Sequence, residues 1–330
     1  ACGIPGMPLS FVMQTFIIQK NEAGQRFDKY LKKRLPEAKA SFLYKMLRKK
    51  NITLNGKKAE GRELLSEGDA VTLFFSEETY EKFRGAGSSE SWKTDPRYVP
   101  PEVLLETEDL IFFNKPAGLL SQKAREEDFS ANEQLLRYLY ETGKLAGNGQ
   151  VAFRPSIANR LDRNTSGILI GGKTLTGLKE AAELLREKKV RKYYHALVHG
   201  TFPEAICSEG YLKKDRSANR SEFLKEAMPG AAYIRTDFTP LSTSEGITLL
   251  SVQLHTGKSH QIRAHLSALG FPILGDPKYG NRKLDERFRK YGLSRQMLHM
   301  RTLLLPDGTS ITAPYPADFE RVLEAIPEVR

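Results

Sequence analysis

Two short segments carry side chains whose types and spacing suit chemistry. In Asn159-Arg160-Leu161-Asp162-Arg163-Asn164-Thr165-Ser166-Gly167 a single carboxylate lies between two arginines and runs into a turn-forming Asn-Thr-Ser-Gly. That order places Asp162 on a tight loop at the mouth of a short apolar strand, Ile168 to Ile170. Such a carboxylate can serve as a nucleophile or a base. Taken alone, a carboxylate flanked by arginines is more often a structural ion pair or cap than a catalyst. The second segment is His255-Thr256-Gly257-Lys258-Ser259-His260-Gln261-Ile262-Arg263-Ala264-His265. Ser259 is placed to cap a helix whose Ile262, Leu266 and Leu269 form a buried stripe. His260 and Arg263, three apart, then share a face near its start.

Other motif matches lose their meaning in context. Gly167-Ile-Leu-Ile-Gly-Gly172-Lys173-Thr174 fits the phosphate-loop pattern, but its Ile-Leu-Ile reads as a strand. The N–H groups there belong to a sheet ladder, so the sequence implies no nucleotide cofactor. His195 and His199 share one strand face about 13 Å apart by the rise per residue, too far to share an ion. His260 and His265 diverge on their helix. The sequence implies no metal and no other cofactor.

The elements that must position Asp162 follow from periodicity. Strands are expected at Val103–Glu106, Leu110–Asn114, Gly167–Gly171, Lys192–His199, Ala232–Phe238 and Thr248–Leu254, and helices at Ala131–Thr142, Leu175–Lys188 and Ser259–Leu269. Strand pairs are mostly separated by turns, which predicts an α+β fold with a mixed, largely antiparallel sheet and flanking helices. On the strand Lys192–His199, Tyr194 faces one way and Tyr193 and His195 the other.

Ahead of this region lies a small α/β module. Phe27 and Leu31, then Phe42, Met46 and Leu47, mark two short helices, the second capped by Ser41. A first strand is expected at Phe16–Gln19, with Ile52–Leu54, an Asn55-Gly56 turn and the strand Val71–Phe75 completing the unit. Residues 14–76 are taken as this module, 77–101 as a linker whose Gly, Ser and Pro content marks a tether from Gly85 to Pro101, and 102–330 as the larger domain. Residues 1–9 lack the pattern of a secretory signal and read as preceding a natural start at Met13.

The chain of 330 residues is 40% apolar and 28% charged, an ordinary globular composition. No apolar run approaches the ~20 residues of a membrane helix. Two cysteines, Cys2 and Cys207, exclude a disulfide framework and fit a reducing, cytoplasmic setting. Net charge is +11, which points to a polyanionic partner. The charge is concentrated: Gly24 to Ser76 holds 13 Lys or Arg against 6 Asp or Glu. Arg34, Lys45, Arg48, Lys49 and Lys50 are the expected phosphate contacts.

Together the segments around Asp162 and Arg263 resemble the RluA family of pseudouridine synthases, with its H-R-L-D-x-x-T-S-G and T-G-R-x-H-Q-I-R signatures. The resemblance continues through Gly270-Phe-Pro-Ile-Leu-Gly275-Asp276-Pro-Lys-Tyr279-Gly280, Lys115-Pro-Ala-Gly-Leu119, Lys192-Tyr-Tyr-His-Ala-Leu-Val198 and Ala313-Pro-Tyr-Pro-Ala-Asp-Phe319, covering about residues 103 to 323. The basic module resembles the S-four-type RNA-binding domain that many members carry. Asn159 stands where the family often has His, Lys258 for Arg and Ser259 for Thr, and the His-Pro that often follows Leu119 is missing.

The resemblance implies an isomerase that converts specific uridines in structured RNA to pseudouridine, most members with such a module acting on large-subunit ribosomal RNA. Transfer RNA as substrate, and a non-catalytic RNA-binding protein, are the competing readings. It implies Asp162 as the catalytic carboxylate, Arg263 as its partner and Tyr194 as the residue facing the flipped base. Arg160 is the side chain expected in the vacated stack, with Asn159 second, and Lys115 and His260 are placed among the substrate contacts. A monomer acting on RNA, without a membrane, is expected.

Overall fold

The computed structural model describes residues 11–84, 90–145, 153–215 and 220–327, so the reading of residues 1–9 lies outside it. The N-terminal module consists of β1 (Phe11–Ile17), α1 (Phe27–Arg34), α2 (Ala40–Arg48), β2 (Ile52–Leu54), β3 (Lys57–Lys58), β4 (Ala70–Ser76) and α3 (Glu77–Arg84). Its sheet runs β1-β4-β2-β3. The first strand starts earlier than expected and carries Met13 opposite Phe74. Phe27, Leu31, Met46 and Leu47 enter the module's own core, as does Leu43, whereas Phe42 only packs against it. Ser41 is not the cap of α2: the helix starts at Ala40 after an extended Lys39 with no side-chain cap.

The segment 77–101 is more structured than a tether. Tyr80 of α3 enters the module's core and Phe83 packs against it. Further on, Trp92 is buried edge-on against Tyr140, and Lys93 Nζ lies 4.4 Å from the Tyr140 ring centre. Tyr80 and Phe83 make a single i, i+3 pair within a Glu- and Lys-rich run, and Trp92 stands alone, which is too little for a period to show. The tether's centre, residues 85–89, lies outside the described residues.

The larger unit comprises β5 (Glu102–Glu106), β6 (Leu110–Lys115), α4 (Ala131–Glu141), β7 (Ser156–Ile157), β8 (Ser166–Gly172), α5 (Leu175–Arg186), β9 (Arg191–His199), β10 (Ile206–Asp215), β11 (Arg220–Leu224), β12 (Ala231–Ser244), β13 (Ile247–Leu254), α6 (Gln261–Ala268), α7 (Arg282–Asp285), β14 (Leu298–Leu304), β15 (Ser310–Thr312) and α8 (Ala317–Glu324). The strand order is β11-β10-β12-β13-β9-β14-β8-β6-β5, with β15 on β14 and β7 on β8. Among the named strands of the described residues only β14 and β8 pair in parallel; the other pairs are antiparallel. The mixed, largely antiparallel α+β sheet expected from the sequence is therefore the fold.

Each strand face has its own core. Tyr194, Ala196 and Val198 of β9 join Leu135, Ala181, Ile262 and Leu266 of α4, α5 and α6. Leu197, between them, joins Phe319 and Val322 of α8 on the other face. This alternation is what a two-sided central strand dictates. The β8–β14 contact depends on Gly167, whose φ is +117° and where an added Cβ would lie 2.3 Å from the Met300 carbonyl oxygen. The phosphate-loop match is this strand: its backbone is spent on the β6 ladder, Lys173 pairs with Glu106 at 2.7 Å, and Thr174 caps α5 by accepting from Gly177 N. Among the described residues, no helix is long and apolar enough to cross a membrane.

Candidate active site

The loop between β7 and β8 carries Asp162, and nearly every residue of it is tied down. Ser121 Oγ donates to the Leu161 carbonyl at 2.8 Å and accepts from Leu161 N at 2.9 Å. Thr165 N donates to the Asp162 carbonyl at 3.0 Å. Arg295, itself clasped by Asp318, donates to the Asn164 carbonyl at 3.1 Å. Gln296 Nε2 donates to Thr165 Oγ1, and Ser166 Oγ is 2.9 Å from His299 Nδ1. A loop held at so many points presents one carboxylate geometry, which is what preorganised chemistry requires.

Lys115 belongs to the same bracing. It is fully buried, and its Nζ donates to the carbonyls of Pro116, Leu119 and Arg163 at 2.7, 2.9 and 3.1 Å. Burial pulls its pKa down to about 7, against which three carbonyl acceptors use every N–H of the charged form. The structure thus corrects its assignment as a substrate contact: it has no donor left for RNA. Asn159 is likewise not on the surface for stacking. Its Nδ2 donates to the Ile168 carbonyl at 3.2 Å and its Oδ1 accepts from Ile170 N at 2.8 Å, so it clamps the edge of β8. Arg160, by contrast, is exposed and makes no hydrogen bond or ion pair among the described residues.

Across from the loop, α6 delivers Arg263 and His260. Arg263 is buried; its Nη1 lies 2.9 Å from Asp162 Oδ2. Its Nε and Nη2 form a fork on Asp276 at 2.6 and 2.8 Å. Asp276 was quoted in the second motif but given no role; only the fold shows it behind Arg263. Burial opposes its charge, yet the Arg263 bonds and the N–H groups of Lys278 and Tyr279 hold its pKa below the usual carboxylate range. The Arg263 guanidinium, pressed by burial but flanked by two carboxylates, is held above its usual value. Gly275 sets Asp276 in place, since an added Cβ there would lie 2.1 Å from the Arg295 carbonyl oxygen.

His260, not Ser259, is the cap residue of α6; its φ is 56° and no side chain caps the helix. Gln261 explains the difference, because its Oε1 accepts from Lys258 N and the Thr256 hydroxyl and closes the turn itself. His260 Nε2 lies 3.9 Å from Asp162 Oδ2, and its Nδ1 is 3.1 Å from the Tyr279 hydroxyl. Tyr194 is 7% exposed and its hydroxyl has no hydrogen-bond partner among the described residues. Burial first, then the Asp162 charge, raises its pKa, which keeps it a neutral phenol. His195, on the opposite face, meets Tyr315, and His199 meets Asp285 at 2.8 Å. The alternation expected along β9 is present.

The arrangement is one partly exposed carboxylate against a buried arginine, with an unpartnered phenol nearby. Residues 109–268 match the family model described as RNA pseudouridylate synthase. An uncharacterized RNA pseudouridine synthase of Mycoplasma pneumoniae is 32% identical over 87% of this chain and 87% of its own. The chain belongs to the RNA pseudouridine synthases.

Within this family, a protein of Pasteurella multocida named ribosomal large subunit pseudouridine synthase C is 30% identical over 94% of this chain and 93% of its own. The solved structure of human RNA pseudouridylate synthase domain containing 4 shares the fold, with a TM-score of 0.56 and 24% identity over 68% of this chain and 92% of that one. As an RNA pseudouridine synthase, the protein is an isomerase acting on RNA.

In the N-terminal module, the expected phosphate contacts separate into two kinds. Lys45, Arg48, Lys49 and Lys50 are exposed and have no anionic partner among the described residues. Arg34 differs: its guanidinium lies 3.8 Å over the Phe16 ring and is half-buried, so it packs the module instead of facing outward. The signal that could have separated it is the helical period, which puts Arg34 one turn beyond Tyr30 on the buried side.

Proposed function

We propose that this synthase modifies specific uridines of large-subunit ribosomal RNA in the cytoplasm, as a monomer, with Asp162 as the catalytic carboxylate. The reading rests above all on Asp162 being partly exposed while its counter-ion Arg263 is buried and anchored elsewhere. The bracing pair Arg295–Asp318 is as unevenly buried, but there the carboxylate is closed by a two-bond fork, whereas Asp162 accepts a single Arg263 nitrogen and its Oδ1 has no hydrogen-bond partner among the described residues. The relatives named for the large ribosomal subunit support the choice of RNA, and the basic module, read as S-four-type, supports binding to it.

The chemistry asks little of the protein beyond placement. The N1–C1′ bond of the target breaks, the uracil turns, C5 bonds to C1′, and the C5 proton is lost while N1 regains one. Asp162 acts on the sugar, and Arg263 keeps its carboxylate aimed. Tyr194 supports the uracil, which must leave its stack at a cost of a few kcal/mol. Arg160 fills the gap, a role its unpaired, exposed guanidinium suits. The test is pseudouridine mapping in cells with and without the protein, complemented by wild type or by Asp162→Asn. Loss of a large-subunit site restored only by wild type is expected. Loss confined to transfer RNA would move the target, and no loss anywhere would overturn the reading.

A further inference from the structure

His260 occupies a position that the pairing of Asp162 with Arg263 does not explain. It is one of five non-glycine residues with positive φ among those described, and it opens α6 without capping it. Its ring meets Tyr279 edge-on at 5.7 Å between ring centres. The Tyr279 hydroxyl is itself the acceptor for Ser221 N at 2.6 Å, and Ser221 lies in β11, opposite Lys214 of β10. Ser221 Oγ also donates to the Ser259 carbonyl at 2.9 Å, tying that strand to the residue just before His260.

This chain of contacts favours one placement of the protons. A backbone N–H can only donate, so the Tyr279 oxygen accepts from Ser221. The buried phenol must still place its own hydrogen, and His260 Nδ1, at 3.1 Å, is the one acceptor that the described residues offer it. An imidazole accepting at Nδ1 carries its proton on Nε2. That nitrogen is the one facing Asp162, at 3.9 Å, too long for a direct hydrogen bond and wide enough to leave its N–H for a substrate atom. Burial lowers the His260 pKa, in keeping with a neutral ring.

We infer that His260 is a catalytic residue that presents a neutral Nε2–H to an acceptor oxygen of the target nucleotide beside Asp162, and that Tyr279, anchored by Ser221, is the positioning residue that fixes this tautomer. The acceptor is either the ribose 2′-hydroxyl or the uracil carbonyl nearest C1′. The inference rests on Asp162 as the catalytic carboxylate, but its first test does not.

That first test is the tautomer, read by nitrogen-15 resonances of the full-length protein; the chain has 6 histidines, and the His260 signal is assigned by its loss in His260→Gln. The wild-type ring is expected to be bare at Nδ1 and protonated at Nε2, and Tyr279→Phe, which keeps the aromatic packing, is expected to disturb that state. A wild-type ring protonated at Nδ1 overturns the inference. The second test is turnover on large-subunit RNA purified from cells lacking the protein. Tyr279→Phe is expected to lower kcat about tenfold, the worth of one hydrogen bond, with KM nearly unchanged. His260→Gln, whose amide N–H reaches the Nε2 position, is expected to recover much of the loss seen in His260→Ala. A glutamine variant no better than alanine overturns the donor role. Synthetic RNA carrying 2′-deoxyuridine or 2-thiouridine at the mapped target identifies the acceptor: the substitution that slows wild type but not His260→Ala marks it, and neither doing so overturns the inference. Full activity in Asp162→Asn would instead strike the reading of Asp162 and leave the tautomer result standing.

Discussion

Arg263 reaches Asp162 through a single nitrogen, Nη1 at 2.9 Å, because its other donors form a fork on the buried Asp276. The pair is therefore end-on, and its geometry is set from behind. A lysine at 263 cannot hold both carboxylates in this way, since an ammonium has no planar fork. Arg263→Lys is expected to lower kcat on the order of 10²-fold, the scale of a misplaced catalytic group, with little change in RNA affinity. Single-turnover rates at saturating RNA check this, and a rate within twofold of wild type would show that Asp162 does not depend on Arg263.

Asp162→Asn separates chemistry from binding. The amide keeps the shape and can still face Arg263, but it can neither attack the sugar nor take a proton from it. Turnover is expected to fall roughly 10⁴-fold or more, while affinity, which rests on distributed phosphate contacts, stays close to wild type. Filter binding and a tritium-release assay on the same RNA measure the two quantities side by side.

Much of this site was legible because its motifs are local. Asp162, Arg263 and Tyr194 each sit in a short segment whose strand or helix period can be read directly, and the structure brings the first two into contact and puts the third beside them. What stayed hidden was what lies behind them. Lys115 and Asn159 look like surface polar residues in sequence, yet the fold spends them on backbone carbonyls and N–H groups up to 48 residues away. Asp276 needed the close approach of Gly275 to Arg295. The strand that anchors Tyr279 through Ser221, β11, is only Arg220–Leu224, with its two apolar residues adjacent, so it left no period to read.

The Asp276 pair also predicts a pH dependence. Its native pKa lies below the ordinary value of 3.8, so the stability it contributes is fully present above that value and is lost as pH falls through the native one. Asp276→Asn leaves the Arg263 charge buried without its fork partner, which typically costs about 3–5 kcal/mol. Thermal unfolding is expected to show this gap undiminished from pH 7 to pH 5 and shrinking below about pH 4. A gap that is constant to the lowest pH would mean that the Asp276 carboxyl titrates alike in the folded and unfolded chain, and would overturn the charged fork as a source of stability.

The N-terminal module is expected to supply affinity, not chemistry. Its core is separate from that of the larger unit, and the links between them include the exposed pair Lys20–Glu108 and the Lys179 bond to the Gly24 carbonyl. Because Tyr80 and Phe83 belong to the module, the proper deletion is residues 1–84, which leaves Trp92 on Tyr140. A deletion ending at residue 76 would strand α3 and expose its apolar side chains. Lys45, Arg48, Lys49 and Lys50 are exposed on one helix and its C-terminal turn, where phosphate contacts on a single strand each contribute about −0.7 to the slope of log affinity against log salt. Removing all four should make that slope shallower by roughly two units or more. Turnover at saturating RNA should survive, since Asp162, Arg263, Tyr194 and His260 all lie beyond the deletion. Equal slopes for the full and shortened proteins would show that the charge of α2 is only solvated surface, and a shortened protein that binds with wild-type affinity would remove the module from RNA recognition altogether.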